Sequence, residues 1–171
     1  LKQIRAFNYK IPGDISSASF FIVLTLLSKN SQIIIEKVNT NISRLGIISI
    51  LNKMGAKIKL KNKSTYNGES IADIHVKSRV NLNGIDCPSK LNSTAIDEFL
   101  IIFLVATKAK GVSKFKDLGE MNKKESKRLD LAVKFLRQIG IKVERDNNNV
   151  QIHGNPNLSL SKNFEIKNFL K

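Results

Sequence analysis

Residues 17 to 61 and residues 95 to 145 carry the same run of segments, so the chain is an internal repeat. Each copy reads as an apolar helix, a strand, a loop, an amphipathic helix, a glycine and a further strand. In the first copy the predicted helices cover 19–27 and 44–54 and the strands 32–38 and 56–61, with Gly55 ending the second helix. In the second copy the helices cover 98–108 and 126–139 and the strands 113–118 and 141–145, with Gly140 in the matching place. Met54-Gly55-Ala56-Lys57-Ile58 aligns with Ile139-Gly140-Ile141-Lys142-Val143, and Arg44-Leu45 with Arg128-Leu129, at offsets of 84 to 85 residues. One more strand closes each copy, at 72–77 and 149–153, and residues 147–149 form a turn before the last. A repeat limits the fold because one unit cannot cover its own apolar face and must stack on a copy. Two copies also imply that further copies complete the set.

Periodicity assigns the faces. Leu129, Ala132, Val133, Leu136 and Ile139 fall on one side of a helix, while Lys127, Lys134 and Arg137 fall elsewhere. Gly55 and Gly140 suit the left-handed position just past a helix end. The first helix of each copy is apolar almost all round, which places it in an interior. Buried helices with strands and amphipathic helices around them make an inside-out α/β (α+β) domain.

Composition narrows the function classes. The longest apolar runs, 20–27 and 99–106, are about eight residues, whereas a membrane helix needs roughly 18 or more. Cys87 is the one cysteine, so no intrachain disulfide forms and a reducing, cytoplasmic setting is expected. It lies near Pro88 with no nearby His or Cys partner, which argues against a reactive thiol. The formal charge is +15, which favours an anionic partner. Yet the cations are 23 Lys against 6 Arg, there is no Trp, and aromatic residues make up 6%. Base recognition draws on arginine and stacking aromatics, so nucleic acid is not the expected partner. The chain starts at Leu1 and stops in mid-pattern at Lys171, and is therefore expected to be an excerpt.

Three segments carry candidate chemistry. Residues 11–21 hold Pro12-Gly13-Asp14, a turn, followed by Ser16 and Ser17, either of which can cap the next helix. Ile96-Asp97-Glu98 opens the apolar helix of the second copy. Its carboxylates either cap that helix, where the dipole stabilises each by about 0.3–1 kcal/mol, or point into a cleft as a base. Residues 122–129 place Lys123, Lys124, Lys127 and Arg128 in what reads as a first helical turn, with Glu125 among them. Four cations there oppose the dipole at a cost of about 1–4 kcal/mol before screening. Either water solvates them, or they hold phosphate or carboxylate. His75 and His153 fall in strands without ligand-spaced neighbours. No zinc spacing, Walker loop or GxGxxG occurs, so neither a metal site nor a nucleotide cofactor is expected.

Together these segments resemble a known family. Residues 11–21 resemble the (I/V)PGDxSSA segment of 5-enolpyruvylshikimate-3-phosphate synthases, Ile96-Asp97-Glu98 their IDE, and residues 124–129 their KESDRL, in the family's order and spacing. The resemblance implies two domains, each of three βαβαββ units with helices packed inside. This chain would be a partial domain: one unit at about 12–78, a second at about 90–154, and the start of a third at 155–171. It further implies transfer of the enolpyruvyl group of phosphoenolpyruvate to the 5-hydroxyl of shikimate 3-phosphate, through a tetrahedral adduct and without a cofactor. Asp97 would take the hydroxyl proton and Lys124 would contact the charged groups of the substrates. Glu125 would move protons to and from the methylene carbon, and Arg128 would hold the carboxylate of phosphoenolpyruvate.

Lys127 stands where the family has Asp, and Asn122 where it has Arg two places before the lysine. Residues of the other domain and the family's DHR segment lie beyond this sequence, so the chain alone is expected to be inactive. Two rival readings differ in class. One is the related UDP-N-acetylglucosamine enolpyruvyl transferase, whose cysteine loop Cys87 does not match. The other is a non-catalytic basic module for polyanions.

Overall fold

The computed structural model describes residues 6, 8–78, 81–123 and 126–160. In the first repeat α1 (Ile15–Leu27) is followed by β1 (Gln32–Asn39), α2 (Gly46–Lys53), β2 (Lys59–Tyr66) and β3 (Glu69–Lys77). The second runs α3 (Phe99–Lys108), β4 (Val112–Phe115), α4 (Arg128–Gln138), β5 (Val143–Asp146) and β6 (Asn149–His153). Each makes an antiparallel three-stranded sheet with its last strand in the centre, ordered β1-β3-β2 and β4-β6-β5. Ahead of each apolar helix the chain pairs parallel with the strand that follows it. Gly13 bridges Val38 in the first copy, and Asn83 and Asp86 bridge Lys110 and Lys114 in the second. A helix must cross between parallel segments, so each copy is a βαβαββ unit whose opening strand has shrunk to isolated bridges.

The two units share one core. α1 packs on α3, and Phe99, Phe103 and Phe115 pack ring against ring, with Phe103 and Phe115 centroids 5.0 Å apart. Ile22, Leu26, Ile47, Ile50, Leu51 and Ile74 are also fully covered. α1 is buried along the stripe Ile15, Ala18, Ser19, Ile22 and Leu26. Its other side presents Phe20, Phe21, Leu24 and Leu27 to solvent, and Leu100 of α3 is exposed as well. The helix predicted to be interior is therefore covered on one side only among the described residues.

Local chemistry moved several boundaries. α1 starts at Ile15 rather than 19 because Asp14 caps it, accepting from the Ser17 amide at 2.7 Å. Ser16 and Ser17, the predicted caps, lie inside the first turn. The predicted helix 44–54 is a 3-10 turn, Ile42–Arg44, followed by α2. β2 runs on to Tyr66 and turns through Asn67 (φ 47) and Gly68 (φ 84) into β3, the Asn-Gly pair that a tight hairpin favours. Gly55 (φ 96) and Gly140 (φ 84) hold the left-handed positions assigned to them.

One close approach locks the units together beside the three motifs. The Gly46 amide donates to the Thr94 carbonyl at 3.0 Å. A Cβ on Gly46 would lie 2.5 Å from the Thr94 carbonyl carbon. Only a residue without a side chain lets the start of α2 lie this close to the segment that leads into Asp97.

Candidate functional site

The site forms where α1 and α3 begin. The Gly13 amide donates to the Lys37 carbonyl and the Gly13 carbonyl accepts from the Asn39 amide. This anchors the Pro12-Gly13-Asp14 turn on β1 and sets the start of α1. The Ser16 hydroxyl, one residue into that helix, donates to Glu98 Oε1 at 2.5 Å. The 3-10 turn before α2, held by Asn41 accepting from the Ser43 amide at 3.0 Å, carries Arg44. The Arg44 guanidinium donates to Ser16 Oγ at 2.8 Å. It also lies 3.9 Å from Glu98 Oε1, 4.0 Å from Asp97 Oδ2 and 4.0 Å from Asp14 Oδ1. From the second repeat, the Arg128 guanidinium lies 3.5 Å from Asp97 Oδ1.

Asp97 and Arg128 are therefore together, as the motif reading requires. Lys124 and Glu125, the other two predicted site residues, lie outside the described residues. The capping alternative for Ile96-Asp97-Glu98 does not hold. α3 begins at Phe99, and Glu98 at the cap position makes no side-chain cap bond. The adjacent carboxylates part company instead: Glu98 is 2% exposed and Asp97 39%.

The crowded basic first turn needs correction. α4 begins at Arg128, two residues later than predicted, because the Asn122 side chain accepts from the Leu129 amide at 3.0 Å and donates to Asp130 at 2.9 Å. Lys123 follows a separate 3-10 turn and pairs with Glu120 at 2.7 Å, and Lys127 stands at the cap. Of the described cations only Arg128 occupies the first turn, with Asp130 as its acidic partner to the dipole. The start of α4 is therefore less cationic, among the described residues, than the spacing predicts, and Arg128 is aimed at Asp97.

Burial pushes the Glu98 carboxyl above its usual range, helped by the negative charges of Asp97 and Asp14. The Ser16 hydrogen bond and the Arg44 charge offset only part of that. Burial also works to raise Asp14. Hydrogen bonds from Ser17 and Ser16 and the Arg44 charge outweigh it and hold that carboxyl low. Two cavities adjoin the cluster. One of about 360 Å³ is lined by Tyr9, Asp14, Asn39, Asn41, Arg44 and Glu69. The other, about 300 Å³, is an apolar groove between α3 and α4 with Arg128 on its wall. Cys87 is buried and its thiol is pushed up to about 11 by desolvation, the environment of an inert cysteine.

Arg44 and Glu98 were not among the predicted site residues. The signal for Arg44 lay in the repeat, where Arg44-Leu45 aligns with Arg128-Leu129. A residue matched to a predicted site arginine in one copy marks the equivalent place in the other.

The family model for EPSP synthase (3-phosphoshikimate 1-carboxyvinyltransferase) matches residues 2–163. The chain belongs to the EPSP synthase family. Relatives named 3-phosphoshikimate 1-carboxyvinyltransferase include that of Petrotoga mobilis, 39% identical over 90% of this chain and 35% of its own length. That of Legionella pneumophila (strain Corby) is 42% identical over 84% of this chain and 33% of its length. A solved EPSP synthase from Acinetobacter baumannii superposes with a TM-score of 0.81 at 37% identity, over 84% of this chain and 32% of that one. The enolpyruvyl transferase NikO from Streptomyces tendae shares the fold, with a TM-score of 0.58 at 11% identity. The chain thus spans about a third of the length of the EPSP synthases it matches.

Proposed function

We propose that this chain supplies one wall of an EPSP synthase active site and works as part of a longer enzyme in the cytoplasm. The reaction joins phosphoenolpyruvate to shikimate 3-phosphate and releases phosphate. The observation that carries the reading is the 3.5 Å approach of Arg128 to Asp97, from motifs 31 residues apart. Asp97 is partly exposed, so its carboxylate can receive a proton from a bound hydroxyl. Both substrates are polyanions, and arginine is suited to holding a carboxylate through paired N–H donors.

In this scheme Asp97 takes the proton of the 5-hydroxyl as that oxygen bonds to the central carbon of phosphoenolpyruvate. Glu125 delivers a proton to the methylene carbon, giving the tetrahedral adduct. Loss of that proton from the new methyl group then restores the double bond as the carbon–oxygen bond to phosphate breaks. Lys124 and Arg128 balance the charge of the phosphate and carboxylate groups. The burial of the Cys87 thiol supports this reading over an enzyme whose cysteine acid must reach its substrate.

The unit pattern supports a partial domain. α1 and α3 are equivalent helices that pack on each other and still leave Phe20, Leu24 and Leu100 in water. Exposed apolar area of this kind marks a docking surface, and the equivalent helix of a third unit fits it. The chain alone is then inactive. The test is phosphate release from the two substrates by the complete enzyme carrying Asp97→Ala. Loss of turnover with the fold retained supports the role of Asp97 as base, and near-normal turnover refutes it.

A further inference from the structure

We propose that Arg44 is a positioning residue that sets the Asp97 carboxylate for proton transfer; this rests on the enolpyruvyl-transfer reading above. Arg44 sits between three carboxylates and one hydroxyl, which an ordinary surface arginine does not. Its guanidinium is hydrogen-bonded to Ser16 at 2.8 Å, and Ser16 is in turn fixed to the buried Glu98. That chain of contacts runs from the first repeat into the second and ends beside Asp97, one residue from Glu98. Arg44 faces Oδ2 of Asp97 at 4.0 Å while Arg128 faces Oδ1 at 3.5 Å. With both arginines present the carboxylate is pulled from two sides. With Arg44 removed, the pull on Oδ2 from that side is lost while Arg128 still draws Oδ1, and the plane of the carboxylate turns away from its present setting.

Glu98 supplies the rigidity. A buried carboxylate is costly unless it is paired and hydrogen-bonded, and its partners here are Ser16 and Arg44. A swing of Arg44 into solvent would leave the buried Glu98 carboxyl with the Ser16 hydroxyl as its partner. Its position is therefore over-determined, as a group that orients a base requires. Arg44 is not placed to take a proton itself, since a guanidinium offers donors and no acceptor.

The experiment measures steady-state kinetics of the complete enzyme carrying Arg44→Met, Arg44→Lys and Asp97→Ala, with folding checked by circular dichroism. Arg44→Met is expected to lower kcat by about 10- to 100-fold, the scale of a small misplacement of a reacting group, with KM for both substrates within about two-fold of the parent. Arg44→Lys is expected to recover part of that loss, because a point charge remains but cannot reach Ser16 and Asp97 at once. A large rise in KM at unchanged kcat would make Arg44 a substrate ligand and overturn the proposal. So would unchanged kinetics. Should Arg44→Met not fold, Arg44→Lys decides alone by the same split between kcat and KM. The Asp97→Ala arm separates the two claims. If it is inactive while the Arg44 variants are normal, only the positioning role fails; if it is active, the parent reading fails with it.

Discussion

Arg44 and Arg128, equivalent residues of the two repeats, reach the two oxygens of the same carboxylate, Asp97, at 4.0 and 3.5 Å. The repeat thus does more than fill a core. It brings two copies of one arginine, 84 residues apart, to one acidic side chain at the junction of the units.

Replacing Asp97 by Asn keeps the shape of the side chain, removes the proposed base and turns one of its two accepting oxygens into a donating amide. The complete enzyme is expected to lose about 10²- to 10⁴-fold in kcat, the usual range for a general base. Phosphate release measures it, with thermal melting as the control for fold.

Gly46→Ala should destabilise the chain by about 1–3 kcal/mol, as forced overpacking does, since its new Cβ would meet the Thr94 backbone at 2.5 Å. Denaturant titration reads the loss. The substitution should also lower activity, because the same approach sets Arg44 beside Asp97.

The carboxylates should give opposite pH signatures. Glu98 is raised mainly by burial, so its contribution to stability is fullest below its unfolded value and is lost as pH rises through its folded one. The stability of the parent relative to Glu98→Gln should therefore fall as pH rises above the ordinary glutamate range, about pH 4. Asp130 is lowered by hydrogen bonds from Arg145, at 2.6 Å, and from Asn122. Its contribution is present above the unfolded value and is lost as pH falls through the depressed one. The advantage of the parent over Asp130→Asn should shrink on acidification below about pH 4. Denaturation midpoints across pH measure both.

The bare face of α1 should make the isolated chain self-associate. Phe20→Glu together with Leu24→Lys places opposite charges four residues apart on that exposed face, where they can also pair along the helix. Sedimentation should show smaller species for the double variant, with secondary structure unchanged. Equal association by both proteins would argue that the face is not sticky.

Much of this was open to reading along the chain. The helical period of Leu129, Ala132, Val133 and Leu136 marks a face that is buried as expected, and Asn149–His153 is the predicted last strand to the residue. The starts of α1 and α4 differ from the predicted ones because side chains outside the predicted helices cap them. Asp14 reaches forward three residues, and Asn122 reaches the Leu129 amide across seven. The start of β2 was placed three residues early, since residues 56–58 pass the glycine turn before pairing begins at Lys59. The Asn67-Gly68 pair carries the sequence signal of the hairpin that joins β2 to β3.

The sequence by itself determined the double unit, the apolar faces and the three motifs, because periodicity and turn chemistry act over a few residues. It could not decide that Glu98 is sealed in while Asp97 stays open, or that Arg44 joins Arg128 around it. Those outcomes depend on how two units pack, on Gly46 touching Thr94 and on Ser16 meeting Glu98 across 82 residues. Spacing along the chain says which way a side chain points from its own helix; only the docking of one helix start against another says what it meets.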